Sequence, residues 1–332
     1  TFAKVPARTG YVNQGWSSKK NSEKATAKAK CTVNKNITLY AVQKKAVQLT
    51  FHRCDGSTWQ KTTLAKGSSY SLPGVRDAEG YTFMGWSTKP MQSVSPQYEA
   101  EEKITVNGNV DLYAVVFNRT TETDLTEDQL PQVDIYKYKQ VIFVGDSRTE
   151  FMENVLTGMG ESATKNVKFV CSAGKGLDWF TTTGWAQLYS IVQHDSNSIL
   201  SKKTAVIFNF GVNDLSKSAD YAEYYNWIAP QLKSKGCELY FMSVNPVNRL
   251  MLPNAGRSDR SEAAVRSFNQ YMKANLSSAY TYIDMYSYLK STGYSFASDH
   301  YGTGTVDDGL HYTTRTYKRI FAKCMDSLRV PA

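Results

Sequence analysis

Residues 141–149 of this 332-residue chain read Val-Ile-Phe-Val-Gly-Asp-Ser-Arg-Thr. The apolar run at 141–144 predicts a strand buried on both faces, because a half-exposed strand would alternate apolar and polar residues. Residues 150–156 can begin a helix, which places Ser147 at a strand-to-helix turn. A hydroxyl group there is exposed beside the backbone N–H groups of the helix N-terminus. Ser147 is therefore a candidate nucleophile, although Asp146 and Ser147 could also be an ordinary helix cap.

The same kind of pattern continues toward the C-terminus. Four more short apolar runs occur, at residues 167–171, 205–210, 239–244 and 280–283. Amphipathic stretches such as 221–235 and 258–276 lie between them. This β-α-β-α alternation predicts an α/β fold, with a parallel sheet between layers of helices. The active site of such a sheet lies at the carboxyl ends of its strands.

Two of the predicted strand ends carry groups that could stabilise an oxyanion. The second strand ends in Ser-Ala-Gly-Lys-Gly at 172–176, and the third in Gly-Val-Asn-Asp at 211–214. A glycine lets a backbone N–H group approach a ligand closely, and the Asn213 amide is a neutral donor. Both segments could equally be turns. The glycines at 174–176 lack the spacing of a phosphate-binding loop, so we do not expect a nucleotide there.

A candidate base lies near the C-terminus, in Asp-Asp-Gly-Leu-His-Tyr-Thr-Thr at 307–314. Asp308 and His311 are three residues apart, in a turn that Gly309 can tighten. The carboxylate can thus meet one imidazole nitrogen and leave the other to take a proton from a serine. The alternative is an acidic helix cap beside a surface histidine. The chain has three further histidines, which are less suitably placed: His52, His194 and His300.

Together these segments resemble the SGNH (GDSL) hydrolase family. The blocks of that family are Gly-Asp-Ser, a glycine after the second strand, Gly-x-Asn-Asp, and Asp-x-x-His near the end. The four blocks occur here in order, and the resemblance implies a flavodoxin-like three-layer domain over residues 139–332. It also implies a serine esterase in which Ser147 is the nucleophile, His311 the base and Asp308 its orienting partner.

The resemblance implies an oxyanion hole as well. Its donors are the N–H of Ser147, the N–H of Gly174 and the side chain of Asn213. Gly176 is the alternative to Gly174, because the second block reads Ala-Gly-Lys-Gly here. Acyl transfer through a serine needs neither a metal nor an organic cofactor, so we expect none.

An internal repeat occupies residues 1–116. Gly-Tyr-Val-Asn-Gln-Gly-Trp-Ser at 10–17 aligns with Gly-Tyr-Thr-Phe-Met-Gly-Trp-Ser at 80–87, and residues 32–42 align with 105–115. Short β-branched and aromatic stretches broken by Asn and Gly predict small β-rich modules. Four aromatic residues recur in the two copies and are expected in the core: Trp16, Trp86, Tyr40 and Tyr113. For the two Trp, carbohydrate stacking is the alternative.

The repeats resemble the Listeria-Bacteroides (internalin B-type) repeat of bacterial surface proteins. This resemblance implies β-grasp-like modules, a truncated copy at 1–45 and a second at 46–116, and a secreted or cell-surface location. The array is expected to continue upstream of residue 1. The polar stretch 117–138 shows little periodicity and is predicted to be a linker. All candidate catalytic residues follow it, so we expect residues 136–332 to fold alone and remain active.

The net charge of +9 is concentrated in residues 1–46, which contain ten Lys or Arg against the single acidic residue Glu23. This excess suits an anionic cell-surface polymer, or it only solubilises the repeat. No nucleic-acid motif accompanies it. No apolar run approaches the roughly 20 residues of a membrane span.

The five cysteines are Cys31, Cys54, Cys171, Cys237 and Cys324. They form no Cys-x-x-Cys pair and have no histidine at metal-ligand spacing, which argues against a zinc site. We expect them to be buried as small apolar residues, and a Cys31–Cys54 bridge is not excluded.

The expected activity is removal of O-acyl groups, chiefly acetyl, from a glycan or a small ester. An O-acetyltransferase acting on cell-wall polysaccharide would use the same nucleophile, and a glycan-binding adhesin would need no chemistry. Retention of Ser147, Asp308 and His311 favours an enzyme.

Overall fold

The computed structural model describes residues 2–27, 32, 34, 36–134, 137–194, 203–252, 260–296 and 307–328. The chain forms two compact units. The first contains residues 1–73, 85–92 and 97–115, and the second contains 74–84, 93–96 and 116–332. The second unit is therefore not one contiguous piece of sequence. No helix among the described residues is both long and apolar enough to cross a membrane.

The N-terminal region is β-rich, as the repeat pattern predicts. Its strands among the described residues are β1 (Tyr11–Ser17), β2 (Tyr40–His52), β3 (Thr58–Ala65), β4 (Ser68–Ser71), β5 (Tyr81–Ser87), β6 (Lys103–Val106) and β7 (Val110–Asn118). One sheet has the order β1-β2-β7-β5, with β3 also paired to β2, while β4 pairs with β6. β2 runs antiparallel to β1 and β3 and parallel to β7. The expected boundary between residues 45 and 46 falls inside β2.

The repeated aromatic residues differ in burial. Trp86 is fully buried, with Phe51 edge-on to it and Trp59 stacked on it, so no sugar can reach its ring. Trp16 is half-buried. The expectation that Tyr40 lies in the core is wrong, since 36% of it is exposed. Tyr40 is the first residue of β2, and the next residue, Ala41, is exposed as well.

Five parallel strands form the sheet of the second unit: β8 (Tyr138–Gly145), β9 (Val167–Cys171), β10 (Lys203–Asn209), β11 (Cys237–Met242) and β12 (Tyr280–Ile283). Their order is β12-β11-β10-β8-β9. Counted within the unit, this is the order 2-1-3-4-5 of flavodoxin-like sheets. The predicted α/β fold with a parallel sheet is confirmed.

The helices of this unit are α1 (Ser147–Met159), α2 (Leu177–Trp179), α3 (Trp185–His194), α4 (Ser218–Ser234), α5 (Glu262–Asn275), α6 (Met285–Thr292) and α7 (Thr314–Ser327). A π-helical turn, Phe180–Gly184, joins α2 to α3. On one face of the sheet, Ile142 and Val144 pack in a core shared with α3, α4 and α5. On the other face Phe143 contacts Phe321 of α7, which packs beside α1. Both faces of the sheet are covered at its centre, so residues 141–144 of β8 and 205–208 of β10 are all apolar and buried.

The stretch expected as a linker, 117–138, departs from that expectation where the structure describes it. Glu122 is buried, and its carboxylate accepts hydrogen bonds from Arg319 at 2.9 Å and Ser295 at 2.5 Å. Leu130 and Val133 are buried as well. The polar composition of this segment predicts that it is solvated. Its buried carboxylate, Glu122, is instead paired with Arg319 of α7. The segment is part of the second unit.

The cysteines only partly follow expectation. Cys237 and Cys324 are buried. Cys171 is half-buried, and its thiol donates to the Glu153 carboxylate at 3.3 Å. Cys54 is exposed in the turn after β2, so its predicted burial is wrong. Cys31 lies outside the described residues, so the structure does not test a Cys31–Cys54 bridge.

Candidate active site

The turn after β8 is built so that a helix starts directly from the strand. The Asp146 side chain caps α1 by accepting a hydrogen bond from the Arg148 N–H at 3.0 Å. A Cβ atom on Gly145 would lie 2.0 Å from Oγ1 of Thr149, so only glycine allows this approach. Ser147 is consequently the first residue of the helix, at the carboxyl end of the strand.

The structure brings Ser147 together with His311 and Asp308. Oγ of Ser147 lies 2.9 Å from Nε2 of His311, and Nδ1 of His311 lies 2.6 Å from Oδ2 of Asp308. The other carboxylate oxygen, Oδ1, accepts the backbone N–H groups of His311 at 2.8 Å and Leu310 at 2.9 Å. With the Nδ1 proton directed to Asp308, Nε2 is the acceptor for the serine hydroxyl.

This group of side chains is shielded from solvent. Ser147 is 5% exposed and His311 8%. The Phe151 ring packs edge-on against the imidazole, with ring centroids 4.5 Å apart. Burial raises the pKa of the Asp308 carboxyl, but the hydrogen bond and charge of His311 and the two backbone N–H groups outweigh it. The net effect is a pKa below the ordinary value, which keeps Asp308 ionised beside the imidazole.

A second carboxyl group, Asp146, lies next to the serine and is fully buried. Burial raises its pKa to about 7, against the opposing effect of the Arg148 guanidinium. Burial thus favours the uncharged form of Asp146, and a neutral carboxyl opposes a nearby oxyanion less than a carboxylate would.

Arg148 is a site residue that sequence reasoning missed. It is buried and donates to the carbonyls of Leu310 at 3.0 Å, Asn245 at 2.9 Å and Pro246 at 2.8 Å. It thereby connects the start of α1 to the segment that carries His311. Its acceptors are backbone oxygens 97 to 162 residues away, so no local spacing signals them.

The two loops expected to hold the oxyanion donors contact each other. The Asn213 amide donates to the Lys175 carbonyl at 2.7 Å, and Arg260 donates to the Asn213 side-chain oxygen. A Cβ on Gly176 would lie 2.3 Å from the Asp214 carboxylate, whereas a Cβ on Gly174 would meet nothing within 4 Å. The backbone is thus closely packed at Gly176 and open at Gly174.

The other histidines do not contribute to this site within the described residues. His52 is in the first unit, where it bonds to Asp111 at 2.9 Å and stacks on Tyr113. The side chain of His194 and all of His300 lie outside the described residues. Among side chains whose positions are described, no three His, Cys, Asp or Glu come together as a metal site would require.

The first strand of this flavodoxin-like sheet ends beside a serine that is hydrogen-bonded to a histidine, and the histidine to an aspartate. This is the arrangement of SGNH-type hydrolases. Residues 141–324 match the GDSL-like lipase/acylhydrolase family, and the chain belongs to this family. Residues 1–42 and 48–115 match the Listeria-Bacteroides repeat domain. Both resemblances inferred from the sequence are confirmed.

Several solved structures are similar to the chain. A protein from Bacteroides fragilis assigned as an acylhydrolase is 16% identical, with a TM-score of 0.40, over 60% of this chain and 92% of that one. An acetyl xylan esterase is 12% identical, with a TM-score of 0.38, over 57% and 100%. The catalytic domain of Streptococcus pneumoniae peptidoglycan O-acetyltransferase A is 15% identical, with a TM-score of 0.35, over 57% and 92%. No curated protein matches the chain.

Proposed function

We propose that the protein is a serine esterase in which Ser147 is the nucleophile, His311 the general base and Asp308 the residue that orients it. The observation that carries the proposal is the unbroken pair of hydrogen bonds from Asp308 through His311 to Ser147. A helix cap beside a surface histidine would not need these three side chains to be shielded and mutually bonded.

In the proposed reaction, Nε2 of His311 takes the hydroxyl proton as Oγ of Ser147 attacks the ester carbonyl. The oxyanion that forms accepts hydrogen bonds from the N–H groups of Ser147 and Gly174 and from the Asn213 side chain. The open backbone at Gly174 favours it over Gly176. His311 then returns its proton to the departing alcohol, and water cleaves the acyl-enzyme by the same steps.

We propose O-acyl groups on a glycan, chiefly acetyl, as the substrate class, and an extracellular or cell-surface location. Support for the location comes from the Listeria-Bacteroides repeats that precede the hydrolase region, since such repeats occur on surface proteins. The strongly basic first repeat suits attachment to an anionic polymer at that surface.

The test is release of acetate from p-nitrophenyl acetate, acetylated xylan and O-acetylated peptidoglycan by the full chain. We expect turnover by the wild type and a fall on the order of 10⁴-fold or more for Ser147→Ala. Ser234→Ala, an exposed serine at the end of α4, is the matched control and should keep full activity. Residual activity of Ser147→Ala above about a hundredth of wild type would remove Ser147 from the nucleophile role. Acetyl transfer to a sugar in place of release would identify a transferase.

A further inference from the structure

A largely buried ion cluster lies directly beside the segment that carries Asp308 and His311. The Arg119 guanidinium contacts Oδ2 of Asp77 at 2.7 Å and Oδ2 of Asp307 at 2.5 Å. It also donates to the Phe296 carbonyl at 3.2 Å. All of these residues are in the second unit, yet Asp77 and Arg119 precede the region that matches the hydrolase family.

A second connection reaches the same segment from Asp77. The Asn248 amide donates to Oδ1 of Asp77 at 2.8 Å, and the Asn248 backbone N–H donates to the Gly309 carbonyl at 2.8 Å. The Gly309 N–H in turn donates to Oδ1 of Asp307 at 3.0 Å. The residues on both sides of Asp308 are therefore tied to Asp77, one through Arg119 and the other through Asn248.

The charged groups of these contacts are largely removed from water. The Asp77 side chain is 1% exposed and that of Arg119 18%. Burial raises the pKa of Asp77 to about 6, whereas the Phe83 N–H and the Arg119 charge oppose this shift and favour the carboxylate. Breaking such a pair would leave a buried charge without its partner, which is strongly destabilising. Any alternative placement of the segment would have to break these bonds.

We infer that Asp77, Arg119 and Asn248 are positioning residues for the esterase reaction, which fix residues 307–311 so that His311 meets Ser147 at bonding distance. The inference rests on the proposed function. None of the three touches the reacting atoms. Their effect passes through Asp307 and Gly309, and a displacement of about 1 Å at a catalytic group can lower turnover on the order of 10²-fold.

Another buried arginine of the same unit provides the matched control. Arg319 pairs with Glu122 at 2.9 Å and donates to the carbonyls of Gly293 and Thr292. These partners lie outside the segment 307–311. Loss of Arg319 should therefore lower stability without moving His311.

The experiment compares full-length variants in steady-state hydrolysis of p-nitrophenyl acetate, with Tm measured in parallel. For Arg119→Ala we expect kcat to fall about 10- to 100-fold with KM within about twofold of wild type, and Arg119→Lys should recover part of the loss. Asp307→Asn keeps the size of the side chain and should also lower kcat, as Arg119→Ala does. Arg319→Ala should lower Tm but leave kcat per folded molecule unchanged. Asp124→Asn, which removes a more exposed ion pair with Lys318, should change neither strongly.

A second readout does not depend on turnover. The His311 Nδ1 proton shared with Asp308 should give a low-field ¹H NMR resonance, which should weaken or broaden in Arg119→Ala and Asp307→Asn and persist in Asp124→Asn. If the wild type shows this resonance but cleaves no ester, the proposed function fails while the resonance still tests the positioning. Unchanged kcat and resonance in both Arg119→Ala and Asp307→Asn would overturn the inference. So would an equal loss of kcat in Arg319→Ala.

Discussion

Gly309 shows how closely the histidine segment is packed. Its φ is +64°, a left-handed conformation that residues with a side chain rarely adopt. A Cβ atom there would lie 2.3 Å from the Asn248 carbonyl oxygen and 2.6 Å from Cβ of Met251. Because neither neighbour is the flexible end of a side chain, a larger residue would have to displace the backbone between Asp308 and His311.

Gly309→Ala should therefore lower kcat for p-nitrophenyl acetate and reduce the free energy of unfolding by about 1–3 kcal/mol. Urea unfolding and steady-state kinetics measure the two effects. Gly158→Ala is the control, because that glycine lies in α1 with open space around it, and alanine there should be neutral or slightly stabilising. Wild-type kcat in Gly309→Ala would show that the segment tolerates the displacement.

At the residue scale, the sequence identified the groups that share a local motif. Ser147 follows a strand, and Asp308 and His311 are three residues apart, so their chemistry is visible in short stretches. Arg119 was not predictable in this way, because its partner Asp307 is 188 residues away. Arg148 directly follows Ser147 in the sequence, but its acceptors are backbone carbonyls, which no residue type marks.

At the scale of elements, apolar runs predicted the strands of the second unit well. The runs at 167–171 and 280–283 coincide with β9 and β12. β8 begins at Tyr138, three residues before the predicted run. The prediction left these residues out because Lys139 and Gln140 are polar. Gln140 is nevertheless buried and donates to the Thr204 hydroxyl of the neighbouring strand at 3.2 Å. Hydropathy cannot locate the ends of a strand whose polar side chains are hydrogen-bonded to the neighbouring strand.

The stretch 117–138 has the polar composition of a linker, yet Glu122 within it is buried and paired with Arg319. Composition does not show which polar residue will be buried with a partner. Glu122→Gln should leave the Arg319 guanidinium without its carboxylate and lower the free energy of unfolding by about 3 kcal/mol. Thermal and urea unfolding measure this loss. Glu79→Gln, at an exposed position of the same unit, should stay within about 0.5 kcal/mol of wild type. Equal stability of the two variants would show that the ion pair contributes little.

At the scale of the whole molecule, the candidate catalytic residues and the residues that support them have different sequence locations. Ser147, Asp308 and His311 all follow residue 136, whereas Glu122 and Arg119 precede it. The expectation that residues 136–332 fold alone and remain active stays a prediction, although that fragment would leave Arg319 without Glu122 and Asp307 without Arg119. The sequence could not show this dependence, because it arises only from long-range contacts.

Charge is also unevenly distributed over the molecule, and its role is testable. Lys19, Lys20 and Lys24 of the first repeat are exposed. If this repeat attaches the protein to an anionic polymer, binding of fluorescent polyglutamate by the full chain should weaken as ionic strength rises past about 0.15 M. A variant with all three lysines changed to glutamate should bind more weakly still.

The matched control changes three exposed lysines of the second repeat to glutamate: Lys61, Lys66 and Lys103. It carries the same change in net charge and should bind almost as well as wild type. Equal weakening by both triple variants would mean that the polymer responds only to total charge. The basic repeat would then be a solubilising spacer.

Covalent labelling of the full chain with a fluorophosphonate, followed by mass spectrometry of its peptides, tests directly whether Ser147 is the nucleophile. Such a reagent loses fluoride to an activated serine oxygen and leaves a stable phosphonyl ester on it. We expect a single adduct on Ser147, formed in parallel with loss of esterase activity, abolished in Ser147→Ala and strongly slowed in His311→Ala. Labelling of another serine as activity is lost, or unchanged labelling of Ser147 in His311→Ala, would contradict it.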